Sequence, residues 1–488
     1  MVAIRYRRIL ISVSLLSALL VSGCIIKPTP FTPPEMEAQV TADLKEIFNS
    51  REALSSALTL DEAIRQTLAH NLDVRLKLME DALSLKQLEV VSYEMLPKLV
   101  SSAGYSSRNN ENASTSVSVT KGSVSLEPST SQEKQNYSTD LSLSWNILDF
   151  GVSYFQARQQ ADRALIMKER RRKVVHAIVQ QARQAYWLAY GAQQLEPRFR
   201  SLLREVNDAL NSVDRIEQEK LRPPLEILTY RKALLETLRQ IEAFRDDLAQ
   251  ATPRLAALMN LPVGGNPALV RDQPLTVPDL RDPLATLEDT ALRFRPELLE
   301  VRLQERIDVV ETKKAIARML PGINLSFGFN YDSNTYLYNS DWVQGSVRSV
   351  WNLMSLLTGP AQYKLAKSQA GVTKMTRLAL SVAVLTQTHI AYLDFFSKKR
   401  QYERADQLRE IDSRIAAVTR SAAESGAQNR LSEIKADTEL LMADYRRYQS
   451  FAALQNAYGQ VLMSVGIDPL ESSRQPAQGE LSMTGVTP

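Results

Sequence analysis

Side chains with reactive chemistry are few in these 488 residues, and they are scattered. His70, His176 and His389 are the only histidines, and none has a second histidine at the three- or four-residue spacing of a metal site on a helix. There is no glycine-rich phosphate loop and no G-x-S-x-G nucleophile turn. Asp149-Phe150-Gly151 spells a kinase signature, but it follows a predicted strand with no nucleotide motif upstream. The expectation is a chain without catalytic residues, metal or diffusible cofactor. One thiol remains, Cys24, and a single cysteine forms no intrachain disulfide.

The chemistry open to Cys24 is set by what precedes it. Arg5, Arg7 and Arg8 lead into an apolar run from Ile9 to Val21, short for a membrane-spanning helix and the right length for a secretory signal. The run ends in Val21-Ser22-Gly23-Cys24, which resembles the lipobox of bacterial lipoproteins. That resemblance implies cleavage before Cys24, a thioether-linked diacylglycerol on its sulfur, and acylation (a palmitate-type chain) of the new amine. Ile25 is not the aspartate that marks many such proteins for the inner membrane, so outer-membrane delivery is the default.

Removing residues 1–23 takes away three arginines and no acids, so the formal charge falls from +4 to +1. A near-neutral chain has no long-range attraction for nucleic acid. The one basic run, Lys168 to Lys173, is interrupted by Glu169 and reads as a solvated helix face. Apolar residues make up 44% of the chain and glycines number only 17, which suits a helix-dominated protein. No segment after the signal is a 20-residue apolar span, so no membrane-crossing helix is predicted, and any crossing must be made as a β-barrel.

The elements are laid out twice. Met95-Leu96-Pro97 and Met319-Leu320-Pro321, 224 residues apart, each close a helical stretch and open a strand. A polar loop, a second strand ending in Trp-Asn (Trp145-Asn146 and Trp351-Asn352) and a very long helix follow in both copies. Thr59 is the predicted cap of the first helix, with a break at His70-Asn71. Strands are expected at 98–107, 137–147, 323–332 and 343–353. Tyr137, Leu141, Leu143 and Trp145 fall on one face and Ser138, Asp140, Ser142 and Ser144 on the other; Ile323, Leu325, Phe327, Phe329 and Tyr331 repeat the pattern against Asn324, Ser326, Gly328, Asn330 and Asp332. Such alternation suits a half-buried soluble sheet or a barrel strand with water on one side and lipid on the other. In the second case Tyr137, Trp145, Tyr331, Trp342 and Trp351 are the candidate membrane-interface aromatics.

The long helices, 152–220 and 361–425, would each reach on the order of 100 Å. Beyond Pro223-Pro224 the return helix carries Ile227, Leu234, Ile241, Leu248 and Leu255 at seven-residue spacing, a coiled-coil seam. A shift of 207 residues lays Ile227 on Ile434, so the helical hairpins are duplicated too. The expected organisation is a signal peptide (1–23), a lipid-anchored proline-rich tether (24–57), a first repeat (58–265), a linker (266–283), a second repeat (284–470) and a tail (471–488). Four strands cannot close a barrel, because the smallest membrane barrels use eight, and open edges in lipid leave backbone groups unpaired.

In the order, spacing and duplication of Leu58-Thr-Leu-Asp-Glu-Ala-Ile64, Leu96-Pro97, Leu320-Pro321 and Trp145-Asn146-Ile147-Leu148-Asp149-Phe150-Gly151, the chain resembles the TolC family of outer-membrane channel proteins, in its lipid-anchored branch. The implied fold is mainly α with a membrane β part: duplicated helical hairpins forming an α-barrel, and four strands per chain contributing to a shared, trimeric, twelve-stranded β-barrel. The implied function is passive export, with a periplasmic adaptor and an inner-membrane transporter as partners of a homotrimer set in outer-membrane lipid. The turns between long and return helices would form the periplasmic mouth, giving Arg222, Glu226, Gly426, Arg430, Ser432, Glu433 and Lys435 as candidates. The family's best-known member has acidic residues six and nine positions past the glycine; here those positions are Ser432 and Lys435, so an acidic constriction does not carry over. The competing reading is a lipid-tethered periplasmic adaptor whose hairpins bind a partner. Adaptors have one hairpin flanked by glycine-rich β domains, whereas this chain has two hairpins and few glycines.

Overall fold

A computed structural model describes residues 30–48, 56–125, 127–219, 223–262, 264–425 and 429–467. Cys24, Arg222 and Gly426, and with them the signal and the tail, lie outside the described residues.

Up to Ser55 the chain is a unit of its own, in which helix α1 (Pro33–Phe48) is described. Thr32 fixes its start: the backbone N–H and the hydroxyl both donate to the Glu35 carboxylate at 2.8 Å. Within the proline-rich tether expected over 24–57, Pro33 and Pro34 occupy the first turn of this helix, where no N–H is required.

The unit from Ser56 onward holds both repeats. The first runs α2 (Leu60–His70), α3 (Leu72–Tyr93), β1 (Lys98–Ser107), β2 (Ala113–Ser114), β3 (Ser129–Thr130), β4 (Gln135–Asn146), α4 (Ile147–Gln218), α5 (Pro224–Ala249) and α6 (Ala251–Leu258). The second runs α7 (Leu284–Phe294), α8 (Pro296–Ala317), β5 (Gly322–Asp332), β6 (Asp341–Val350), α9 (Ser355–Glu424) and α10 (Arg430–Val465). Thr59 caps α2 through Glu62 N (3.3 Å), and Asn71 makes the predicted break, accepting from Asp73 N and Val74 N while its amide donates to the Leu258 carbonyl. Arg295 holds the equivalent joint in the second copy with nearly the same backbone, φ −65° and ψ 127° against −63° and 126°. Pro296 there supplies the helix start that Asn71 supplies by capping.

The four long strands form one antiparallel sheet in the order β1-β4-β5-β6, leaving β1 and β6 with open edges. The Trp-Asn motif serves differently in the two copies. Trp145 and Asn146 end β4, and Asn146 caps α4. By contrast β6 ends at Val350, so Trp351-Asn352 lie beyond the strand, with Trp351 Nε1 donating to the Met319 carbonyl at 3.1 Å.

Helix α4, with 72 residues, is the spine: α2, α3, α5, α6, α8 and α10 all pack on it. The heptad row Ile227, Leu234, Ile241 and Leu248 is buried against Phe199, Leu202, Val206 and Val213 of α4, with Ile434 and Leu441 of α10 completing the core. Gly191 lets α4 and α10 approach closely, since a Cβ there would lie 2.7 Å from Tyr448 Cβ.

Two sequence expectations give way. The basic run is not simply solvated: Arg170 pairs with Glu300 (2.5 Å), Arg171 with Asp81 (2.9 Å) and Lys173 with Glu297 (3.4 Å), so it clamps α4 to α3 and α8. And α9 contains an 18-residue stretch that is apolar enough, by length and composition, to cross a membrane. Leu365, Val372, Met375, Val382, Ile390 and Leu393 share one exposed face of this 70-residue helix, whose other side packs on α8 and α10. An 18-residue window passes where a 20-residue apolar span was required of the sequence.

Candidate functional site

The residues singled out by the sequence gather in two regions: the sheet, and the tips of the helical hairpins. Partners in an antiparallel ladder project to the same side, so register assigns every strand residue to a face. The row Leu99, Leu143 and Phe327 and the row Trp145, Leu325 and Val347 lie on one face. The rows Ser102, Asp140, Asn330 and Lys98, Ser144, Ser326, Ser346 lie on the other. One side of the sheet is thus predominantly apolar and exposed, and the other is predominantly polar, with hydroxyls, amides and a few charged side chains.

Aromatics mark both ends of the apolar face. Tyr137 and Tyr331 sit toward the loops, and Trp145 sits toward the helices with its ring 5.5 Å from Phe150. Trp145 and Tyr137 are eight residues apart, roughly 26 Å along the strand, which matches the apolar band of a barrel. Tyr105 joins this set, its ring 4.9 Å from Tyr137; it went unnoticed because β1 alternates poorly and only the pairing shows its face. Trp342 does not belong with them. It pairs with Asn330 and so lies on the polar face, while its neighbour Asp341 pairs with Tyr331 on the apolar one. Trp351, past the strand end, is tied to the chain just before β5.

At the hairpin tips, ion pairs hold the helices to one another. Arg231 of α5 reaches Asp214 (3.3 Å) and Glu217 (3.1 Å) of α4, and Arg420 of α9 reaches Asp437 of α10 at 2.7 Å. Arg430, the first residue of α10, crosses between the repeats to Glu205 of α4 (3.6 Å) while also meeting Glu433 (3.0 Å). Between the hairpins lies a cleft of about 450 Å³ lined by Glu205, Asp208, Glu226, Tyr230, Asn429 and Arg430. Ser432 is spent on local structure, its N–H and hydroxyl both donating to the capping Asn429 side chain. Lys435 is exposed and forms no ion pair among the described residues. Glu205, the partner of Arg430, was missed because it lies 225 residues away on the other repeat.

A family profile described as outer membrane efflux protein matches residues 63–261. No curated protein matches the sequence. Among solved structures, the Campylobacter jejuni CmeC outer membrane channel aligns with a TM-score of 0.66 at 13% identity, covering 91% of this chain and 93% of that one. The open state of the Neisseria gonorrhoeae MtrE outer membrane channel aligns with a TM-score of 0.61 at 16% identity, covering 84% and 91%. The Vibrio cholerae outer membrane protein VceC gives 0.61 at 12% identity, covering 83% and 96%. At such identities these likenesses establish the fold: duplicated helical hairpins continuous with a four-stranded sheet, and not one hairpin between compact β domains.

Proposed function

We infer that this chain, an outer membrane efflux protein over residues 63–261 and in its fold, is the outer-membrane duct of an export assembly. The observation that carries the reading is the sheet: four strands, one face apolar and one polar, with both edges open. Unpaired edges in lipid cost several kcal/mol for each backbone group, and copies of the chain placed edge to edge remove that cost. Three copies give twelve strands, a polar lumen and a lipid-facing band. The exposed apolar row of α9 then packs against a neighbouring subunit.

In this reading the long helices carry the lumen across the periplasm. An adaptor and an inner-membrane transporter meet the duct at the hairpin tips, near Arg430 and Glu433. The transporter supplies the energy, and the duct itself is passive. Cleavage before Cys24 and acylation there would add a lipid tether to the same membrane. Cross-linking and mass measurement on the full-length protein, extracted from outer membranes in detergent, test the assembly. A heat-dissociable trimer that forms pores in planar bilayers is expected. A detergent-independent, water-soluble monomer overturns the reading.

A further inference from the structure

The four long strands carry five charged residues: Lys98, Asp140, Asp332, Asp341 and Arg348. Register places Asp341, opposite Tyr331, on the apolar face and the other four on the polar one. Those four are sorted along the strands. Lys98 shares a row with Ser144, Ser326 and Ser346, and Arg348 lies one row nearer the helices with Asn324 and Asn146. Asp140 is four residues from the Lys98 row toward the loops, and Asp332, on the Ser138 row, is six. At about 3.3 Å per residue the carboxylates stand roughly 13 and 20 Å from the Lys98 row. Both distances exceed the Debye length of about 8 Å at physiological ionic strength, so the two signs do not cancel.

We propose that the pore wall is graded in charge along its axis, with Lys98 and Arg348 forming a basic collar, where strands meet helices, that concentrates anionic organic solutes at the start of the outer-membrane segment. This rests on the shared-barrel reading above. Among the described residues neither Lys98 nor Arg348 forms an ion pair. Their row neighbours are hydroxyls and amides, which can donate to an anion but cannot neutralise a cation. Glu94 and Asp149 flank the sheet on the helix side, and neither pairs with the collar; Glu94 takes a hydrogen bond from Gln156 instead. Asp140 accepts from the Ser102 hydroxyl. Lys98 is on edge strand β1 and Arg348 on edge strand β6, so every seam between subunits is flanked by one of each. Three subunits place six cations around the lumen. The solutes favoured are those bearing carboxylate, sulfonate or phosphate groups, which lysine and the arginine fork both bind.

Cysteine reactivity in the full-length trimer tests this without depending on the periplasmic mouth, since reagents can reach the lumen from outside. The wild-type chain, with Cys24 its only cysteine, sets the background. Ser144→Cys, on the Lys98 row, is treated with methanethiosulfonates bearing either a sulfonate or a trimethylammonium group, with rates normalised to free cysteine. The sulfonate reagent should react about tenfold faster in low salt, a ratio that falls to about one in 1 M KCl. Adding Lys98→Gln and Arg348→Gln should abolish the preference, and Asn330→Cys, beside Asp140, should reverse it. A ratio at or below one at Ser144→Cys in low salt overturns the collar alone. Leu143→Cys, on the opposite face, should resist both reagents; equal reactivity at 143 and 144 overturns the barrel reading and the collar with it. The salt series on the intact collar remains decisive should the double substitution fail to assemble.

Discussion

Tyr186 brings a single polar atom into the core of α4, and that atom is shared between two acceptors. Its hydroxyl lies 2.9 Å from Gln273 Oε1 and 3.1 Å from the Leu58 carbonyl, which joins the start of the first repeat to the linker. Burial pushes the hydroxyl up to about 12, from its ordinary value near 10. A raised folded-state value means that the native chain holds this proton after the unfolded chain has released it. The stabilisation is complete below pH 10 and is lost as pH rises toward 12. Tyr186→Phe should remove that part of the alkaline transition, read as a tyrosinate absorbance step in pH titration, and should lower stability near neutrality by about 1 kcal/mol through the lost hydrogen bonds. A titration curve unchanged by the substitution would sink the assignment. Gly191, five residues further on, illustrates what a sequence conceals: it is visible as a glycine in a long helix, but the reason for it, Tyr448 lying where a Cβ would be, belongs to the other repeat.

Among the elements, periodicity carried most of the information. The heptad row of α5 and the break at Asn71 were legible because each is a local pattern answering a local requirement: an apolar seam, a capped helix start. Face assignment was legible where alternation is strong, in β4 and β5. It failed at Trp342, where pairing with Asn330 on the neighbouring strand, which the sequence of this strand alone does not reveal, puts the ring on the polar face. Ion pairs between helices were not legible at all, since spacing along a chain does not reveal which charge meets which. Asp444, buried in α10 between Arg198 of α4 and Arg409 of α9, is such a node, and the Arg430–Glu205 contact is another. Arg430 is more than half exposed, so this contact contributes at most about 1 kcal/mol per subunit. If three subunits move together, losing it shifts a closed mouth toward open by up to about a hundredfold. Single-channel recording of Arg430→Ala should therefore show raised resting conductance, with Glu205→Gln matching it in direction. Unchanged conductance in both variants would remove the mouth from this pair.

For the whole molecule, the shared-barrel proposal turns on the duplication. Two copies of strand–strand supply four strands, and closing such sheets around water within lipid would satisfy a polar and an apolar face together. That requirement makes neighbouring residues respond oppositely to one change. Leu141 and Ser142 are adjacent in β4, but register puts Leu141 with Phe329 on the apolar face and Ser142 with Gly328 on the polar face. Leu141 is midway between Trp145 and Tyr137, the depth at which lysine on a lipid-facing strand costs about 2–4 kcal/mol. In a trimer that cost is incurred three times, about 6–12 kcal/mol in all, comparable to the whole stability of a typical fold. Leu141→Lys should abolish the heat-dissociable oligomer in outer-membrane fractions. Ser142→Lys, placing the same charge in the lumen, should leave the oligomer intact and alter only its ion selectivity. A soluble sheet packed on one face would show no such dependence on outer-membrane assembly, so equal oligomer yields from the two variants would contradict closure around a lumen.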